Sequence, residues 1–152
     1  MSLALLSDRQ HDALSAALRH VRDAELMLAR PEPERSLEGA WHLAGFGPEC
    51  ARKAMLDDAS LDRAIGHGIA EASELALEFA IAVDPRARRY GADAFVERFP
   101  VLGFWDVSHR YIATGVASSG PVEELVATAR RVVDTTVLEI WADGRIRGDF
   151  SL

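Results

Sequence analysis

The sequence predicts an all-α protein, and three observations support this. Residues 36–56, SLEGAWHLAGFGPECARKAML, place their apolar side chains on one half of a helix when they are read at about 100° per residue. Residues 118–144 show the same helical periodicity after a Ser-Ser-Gly-Pro start. No stretch alternates apolar and polar residues between hairpin turns, the pattern of half-buried strands.

The composition is that of one globular domain. The chain has 152 residues, of which 49% are hydrophobic and 27% are charged. A chain of this length can bury a core without disulfides or metals, so we predict a single domain over residues 1–152. The formal net charge of −7 opposes binding to a phosphate backbone unless positive residues are gathered locally.

The expected compartment is the cytoplasm. The single cysteine, Cys50, excludes an internal disulfide framework. The opening residues MSLALLSDR lack the basic start and the apolar run of a secretion signal. No apolar run is long enough to cross a bilayer, so we expect no membrane segment.

A first helix is expected from Ser7 or Asp8, either of which can cap it, to about Ala29. Pro31 and Pro33 then end it, because proline removes a donor and crowds the preceding turn. The apolar face of this helix comprises Leu14, Ala17, Leu18, Val21, Ala24 and Leu28.

The second helix, capped by Ser36, has a stripe of small residues along its apolar face. The stripe consists of Ala40, Ala44, Gly47, Ala51 and Ala54. Because small side chains let another helix backbone approach closely, we expect this helix at the centre of a bundle. Pro48 lies inside the helix and predicts a kink. The opposite half, expected to face solvent, carries Glu38, His42, Glu49, Arg52 and Lys53.

A third helix is expected from Ser60 to about Val83, and the pattern of residues 85–119 is less regular. The final helix is expected to have Pro121 at its first position and to end at Gly144. Its first turn should contain Glu123 and Glu124, and its apolar face comprises Val122, Leu125, Val126, Ala129, Val133, Val137, Ile140 and Trp141.

Four groups of residues are weak candidates for chemistry. His42 and Glu49 share a helix side and could form a metal or proton-transfer pair, but a solvated face with a Glu49–Lys53 ion pair is favoured. His67 stands between two glycines, where close packing is favoured over a ligand. Cys50 is interpreted as a buried, unreactive thiol. A basic cluster that could hold a phosphate, or only solvate a loop, consists of Arg86, Arg88 and Arg89.

The segment 105–111, WDVSHRY, is the densest in functional groups. If it were helical, Asp106 would lie beside Arg110 at i, i+4. One interpretation is an aromatic anchor that docks the segment on the bundle, with Arg110 partly buried against Asp106 or Glu49. The other is a wall of a polar groove, in which Arg110 and Tyr111 face an anion. The sequence contains no zinc-ligand spacing and no Gly-rich phosphate loop, and we expect no metal or cofactor.

Three segments resemble the HEPN superfamily of small helical domains. Residues 41–56, WHLAGFGPECARKAML, are similar to its central "LAGY…E…LKA-L" helix. Residues 64–69, AIGHGI, resemble the "GHDL" of many members, with Gly68 replacing the acidic residue. The segment 105–111 resembles the "W…RY" that precedes the last long helix. The three occur in the family's order and spacing across the middle two-thirds of the chain.

The resemblance implies an antiparallel bundle of four or five helices, commonly a homodimer. It also implies a link to toxin–antitoxin or RNA-related systems, with a nucleotidyltransferase-type partner. Catalytic members are metal-independent ribonucleases with an Arg-x(4–6)-His motif on a late helix. Here Arg63 and His67 have three residues between them, and the interval from Arg98 to His109 is too long. The resemblance therefore assigns no catalytic residue.

We accordingly expect a non-catalytic binding or regulatory module. A dimer is also expected because Trp141 lies near a helix end, where burial within one chain is harder. The candidate polar groove comprises Glu49, His67, His109, Arg110 and Tyr111. The alternatives are a ribonuclease toxin that uses His67, His109 and Arg110 across a dimer, and a domain that binds a nucleotide at the basic cluster.

Overall fold

The computed structural model describes residues 4–55 and 98–146, together with Glu78 and Ala82. Within these residues the chain forms helices and no strand, which confirms the all-α prediction for this part of the chain. Most of the expected third helix, residues 60–83, lies outside the described residues. The elements are helices α1 (Asp8–Ala29), α2 (Leu37–Lys53) and α3 (Ser119–Ala142), with the short 3-10 helices η1 (Pro100–Phe104) and η2 (Val107–Tyr111).

Helix α1 begins and ends where its capping residues predict. The Ser7 hydroxyl accepts the Gln10 backbone N–H at 3.3 Å, and the Gln10 side-chain oxygen accepts the Ser7 N–H at 2.8 Å, a reciprocal capping box. At the other end Arg30 is extended because it precedes Pro31. The expected apolar face is confirmed: Leu14, Ala17, Val21 and Ala24 are fully buried, and Leu18 and Leu28 pack against them.

Helix α2 is the central one of the three described α-helices, as its small-residue stripe predicts. All four alanines of the stripe are fully buried. At Gly47 a Cβ atom would lie 2.5 Å from a methyl carbon of Val21 in α1 and 3.3 Å from one of Val133 in α3. Glycine therefore allows both neighbouring helices to approach α2 at this level. The helix continues through Pro48 to Lys53.

Helix α1 runs in the direction opposite to that of α2 and α3. The Leu6 N–H, just before α1, donates to the Arg145 carbonyl, just after α3, at 3.0 Å, so these two helices are antiparallel. The Arg35 guanidinium, just before α2, meets the Glu123 carboxylate near the start of α3 at 3.0 Å. Helices α2 and α3 are therefore parallel to each other, and α1 runs against both.

The polar half of α2 differs from the prediction. Glu49 is 2% exposed and Arg52 is 7% exposed, so the expectation that both face solvent is wrong. The periodicity of one helix assumes one buried half, whereas α2 contacts α1, α3 and η2. The Lys53 amine donates to the Glu49 carboxylate at 2.7 Å, which confirms the predicted i, i+4 pair.

Helix α3 begins earlier than predicted. Ser118 is its N-cap residue and Ser119 is its first residue, so Pro121 is the third residue rather than the first. The expectation that Glu123 and Glu124 lie in the first turn is wrong for the same reason. The first four N–H groups of a helix have no acceptor within the helix, so proline is tolerated throughout this turn. The helix ends at Ala142, and Gly144, the predicted stop, follows the cap residue with a φ of +68°.

The predicted aromatic anchor is confirmed. Trp105 is 6% exposed, and its indole N–H donates to the His42 carbonyl of α2 at 3.1 Å. The ring lies against Gly45, where a Cβ atom would come within 2.1 Å of it, and its centroid is 5.0 Å from that of Phe46. Trp105 thereby attaches the start of η2 to α2, whereas η1 contacts α3.

Candidate functional site

A cavity of about 290 Å³ lies between the first half of α2, the 3-10 segment and the start of α3. Trp41 and Glu38 contribute from α2, and His109 contributes from η2. The rest of the wall is mainly apolar and includes Phe104, Ile112, Val116, Ala117, Pro121 and Val122. A concave, mostly apolar site with few polar groups is the usual form of a small-ligand site or an anchor pocket.

His109 is fixed in this wall by two donors. Its Nδ1 atom accepts the Trp41 indole N–H at 2.9 Å and the Asp106 backbone N–H at 3.1 Å. Since two N–H groups point at Nδ1, this nitrogen carries no proton, and the ring N–H is on Nε2. The Trp41 and His109 rings also meet edge to face, with centroids 5.9 Å apart. The lone pair of His109 is therefore used to attach η2 to α2.

Asp106 holds the start of η2. Its carboxylate accepts the Ser108 backbone N–H at 2.7 Å, as an N-cap residue does. Hydrogen bonds from the Ser108 side chain and backbone lower the pKa of Asp106. The backbone N–H of Asp106 donates to His109 Nδ1. The capping arrangement therefore also orients the His109 ring that lines the cavity.

Glu38 closes one end of the cavity. Its Oε1 atom accepts three successive backbone N–H groups, those of Gly115 at 2.8 Å and of Val116 and Ala117 at 3.0 Å each. These hydrogen bonds, led by that of Ala117, lower the pKa of Glu38, so the group remains ionised at neutral pH. Gly115 has a φ of +89°, which turns the loop so that its N–H groups converge.

An aromatic cluster lies beside the cavity. The His42 ring stacks on Trp105 with centroids 6.4 Å apart and meets the edge of Phe46 at 4.9 Å. Burial lowers the pKa of His42, and the nearby positive charge of Arg110 lowers it further. On the other side His20 of α1 lies 5.4 Å from Phe46, and burial lowers the pKa of His20 as well. Both rings are held in their neutral form.

The candidate groove is not assembled as expected among the described residues. Of its five members, only His109 lines the cavity. Glu49 is eight residues, or about 12 Å, further along α2 than Trp41. His67 lies outside the described residues. Arg110 and Tyr111 are exposed, with the guanidinium carbon 4.8 Å from the centre of the ring.

The expected burial of Arg110 against a carboxylate is wrong. Residues 107–111 form a 3-10 helix rather than an α-helix, so Asp106 and Arg110 do not share a side at i, i+4. Asp106 serves as the cap instead, and Arg110 packs on its neighbour Tyr111. The segment is therefore attached by Trp105 and His109, not by an arginine–carboxylate pair.

Other sequence candidates have different outcomes. Burial raises the pKa of the Cys50 thiol to about 11, which supports its interpretation as an unreactive group. The described residues contain no group of three or more histidine, cysteine or acidic side chains able to hold a metal. The predicted anion site lies outside the part of the chain that the structure describes, and it stays a prediction: Arg86, Arg88 and Arg89.

Sequence reasoning missed three residues of the cavity. Glu38 was interpreted only as part of a polar helix face, and Trp41 and Phe104 were not singled out. The adjacent Trp41 and His42 in the first half of α2 were the available signal, because aromatic residues at the edge of an apolar helix face indicate packing against another element. Nothing in the periodicity of α2 indicates that a loop 77 residues away donates three N–H groups to Glu38.

Comparisons with family models, with curated proteins and with solved structures give no match to this chain. The described residues form an all-α structure in which a 3-10 segment docks on three packed helices beside an apolar cavity. The HEPN resemblance rests on sequence motifs and stays a prediction. Among the helices that the structure describes, none combines the length and the apolar character needed to cross a membrane.

Proposed function

We propose that the protein is a non-catalytic, HEPN-like binding module, a bundle of four or five helices that takes a ligand into the cavity beside α2. The observation that supports binding rather than catalysis is the state of the two titratable groups that line it. His109 Nδ1 accepts two N–H groups and Glu38 Oε1 accepts three. A general base needs an atom free to take a proton from the substrate, and the lone pair of His109 Nδ1 is already occupied. Glu38 is a weak base, because hydrogen bonds to its ionised form lower its pKa.

The binding of 2-naphthol, a mainly apolar fluorophore that is uncharged at neutral pH and matches the size of the cavity, tests this function. We expect saturable binding at one site per chain, because the cavity wall is mainly apolar. Ala117→Phe places a ring in the cavity wall and should weaken binding at least tenfold. Ala142→Phe makes the same change at the exposed far end of α3 and should have no effect.

Two outcomes would refute the proposed function. One is the absence of binding to the wild-type chain, and the other is equal binding to both phenylalanine variants. Circular dichroism melting curves must show that Ala117→Phe is folded. If it is not, Val116→Trp, which adds a ring at an exposed position of the cavity wall, replaces it in the comparison.

We propose in addition that the module is a cytoplasmic homodimer. Leu138 is 51% exposed and Trp141 is 59% exposed, and their spacing of three residues puts them on one side of α3. Large apolar residues that are adjacent and exposed are typical of an interface. Trp141→Glu should convert the dimer to a monomer in light scattering, whereas Leu26→Glu, at an exposed apolar position of α1, should not. A wild-type mass of 16.6 kDa at high micromolar concentration would contradict the dimer.

The proposed biological setting follows from the resemblance: a toxin–antitoxin or RNA-related system with a nucleotidyltransferase-type partner. A purified nucleotidyltransferase encoded beside this gene should form a complex with the chain in size-exclusion chromatography. The module itself should not cleave RNA, because a net charge of −7 opposes phosphate binding and His109 is committed to Trp41. Metal-independent cleavage that is abolished by His109→Ala would favour the ribonuclease alternative instead.

A further inference from the structure

We propose that the ligand of this cavity is an ammonium group attached to an apolar body, such as an arylalkylamine or the N-terminus of a peptide with an apolar first residue. This inference rests on the proposed function and names its ligand class. The cavity wall is mainly apolar, and Glu38 is the one carboxylate among the described residues that line it. None of those residues is a lysine or an arginine.

The charge of Glu38 is available to a ligand. All three N–H groups of the loop go to Oε1, so Oε2 receives no hydrogen bond from that loop. Hydrogen bonding to the ionised form keeps the carboxylate charged at neutral pH. A carboxylate beside an apolar wall can accept a hydrogen bond from a cationic group, and such a charge-assisted bond is stronger than one between neutral groups.

The remaining wall fits the other parts of such a ligand. Aromatic rings attract ammonium groups that lie over their faces within about 6 Å, and Trp41 and Phe104 supply two rings. The hydrogen bond from Trp41 to His109 fixes one ring, so little ordering is needed on binding. Ile112 and Val122 supply aliphatic contacts. The volume of about 290 Å³ matches roughly ten water molecules, and therefore a body of about ten non-hydrogen atoms.

Calorimetric titration with a matched pair of compounds tests the inference on the full chain at neutral pH. The pair is 4-phenylbutylamine, which is cationic, and 4-phenylbutan-1-ol, which has a similar shape and no charge. We expect the amine to bind at least tenfold more tightly than the alcohol. Glu38→Gln keeps an oxygen for the three N–H groups but removes the charge, so the amine should then bind no more tightly than the alcohol.

The control is Glu25→Gln, which removes the same charge from a residue that pairs with Arg130 away from the cavity. This variant should keep the full preference for the amine. Equal binding of amine and alcohol to the wild-type chain would overturn the inference while leaving the proposed function intact. A preference that survives Glu38→Gln would also overturn it. Failure of both compounds, together with 2-naphthol, would refute the proposed function itself.

A further titration with peptides identifies the source of the ammonium group. The peptide Phe-Ala-Gly-Gly is compared with its N-acetylated form, which has no charge at that end. If the free peptide binds more tightly than the amine and acetylation abolishes binding, the natural ligand is a protein N-terminus. If the amine binds and neither peptide does, the ligand is a small molecule. Either result supports the ammonium inference, provided that binding depends on Glu38.

Discussion

The substitution Gly45→Ala tests how Trp105 holds the cavity together. A Cβ atom at this position would lie 2.1 Å from ring carbons of Trp105, whereas ordinary contact begins at 3.4 Å. The ring has no easy alternative position, because it packs on Phe46 and its N–H donates to His42. We therefore expect the alanine variant to expel Trp105 from α2.

The expected loss follows from the burial of the ring. Trp105 is 6% exposed, and loss of a buried tryptophan costs about 3–5 kcal/mol of the free energy of unfolding. The higher helix propensity of alanine compared with glycine adds about 1 kcal/mol to the free energy of unfolding. The net loss of about 2–4 kcal/mol should lower the melting temperature by about 5–15 °C in a chain of this length.

Thermal unfolding followed by circular dichroism measures this loss. A two-dimensional NMR spectrum should also show faster exchange of the Trp105 indole N–H, which donates to His42 in the wild type. Gly120→Ala is the control, since a Cβ atom there meets nothing within 4 Å, and its melting temperature should be unchanged or slightly raised. A Gly45→Ala variant as stable as this control, with its indole N–H still protected, would show that the reasoning about Trp105 is incorrect.

Three further predictions concern titratable groups. Burial lowers the pKa of His20 and of His42 below 6.5, so the unfolded chain binds protons first, and the free energy of unfolding measured in urea should fall as the pH drops below about 6.5. The double variant His20→Gln, His42→Gln should flatten that dependence; an unchanged slope would contradict this assignment. Glu38→Gln should speed hydrogen exchange of the 115–117 N–H groups and cost at most about 1 kcal/mol, because the site is near the surface. Cys50, with a pKa of about 11, should react with a thiol reagent at pH 8 far more slowly in the folded chain than in urea, and equal rates would refute its burial.

Sequence reasoning predicted the parts of the fold that depend on neighbouring residues. The ends of α1 follow from Ser7 and Pro31, and the end of α3 follows from Gly144, because caps and helix breakers act over a few positions. The central place of α2 follows from its small residues, since their size limits how near another helix can come.

The parts that could not be predicted depend on contacts between distant segments. Glu49 was assigned to solvent because one helix does not reveal how many neighbours surround it. Residues 107–111 are too few for periodicity to distinguish a 3-10 helix from an α-helix, and the position of Arg110 was wrong for this reason. The role of Glu38 depends on a loop 77 residues away, which no local pattern indicates.

The hydrogen bonds around the cavity have a consequence for folding kinetics. The bond from Trp41 to His109 spans 68 residues, that from Trp105 to His42 spans 63, and that from Gly115 to Glu38 spans 77. Closing such long loops has an entropic cost before the contacts can compensate for it, so the cavity should form after the local turns of α1 and α2. A ligand that enters the cavity therefore binds only chains in which these long loops have closed. Its stopped-flow binding signal should measure the rate of that closure.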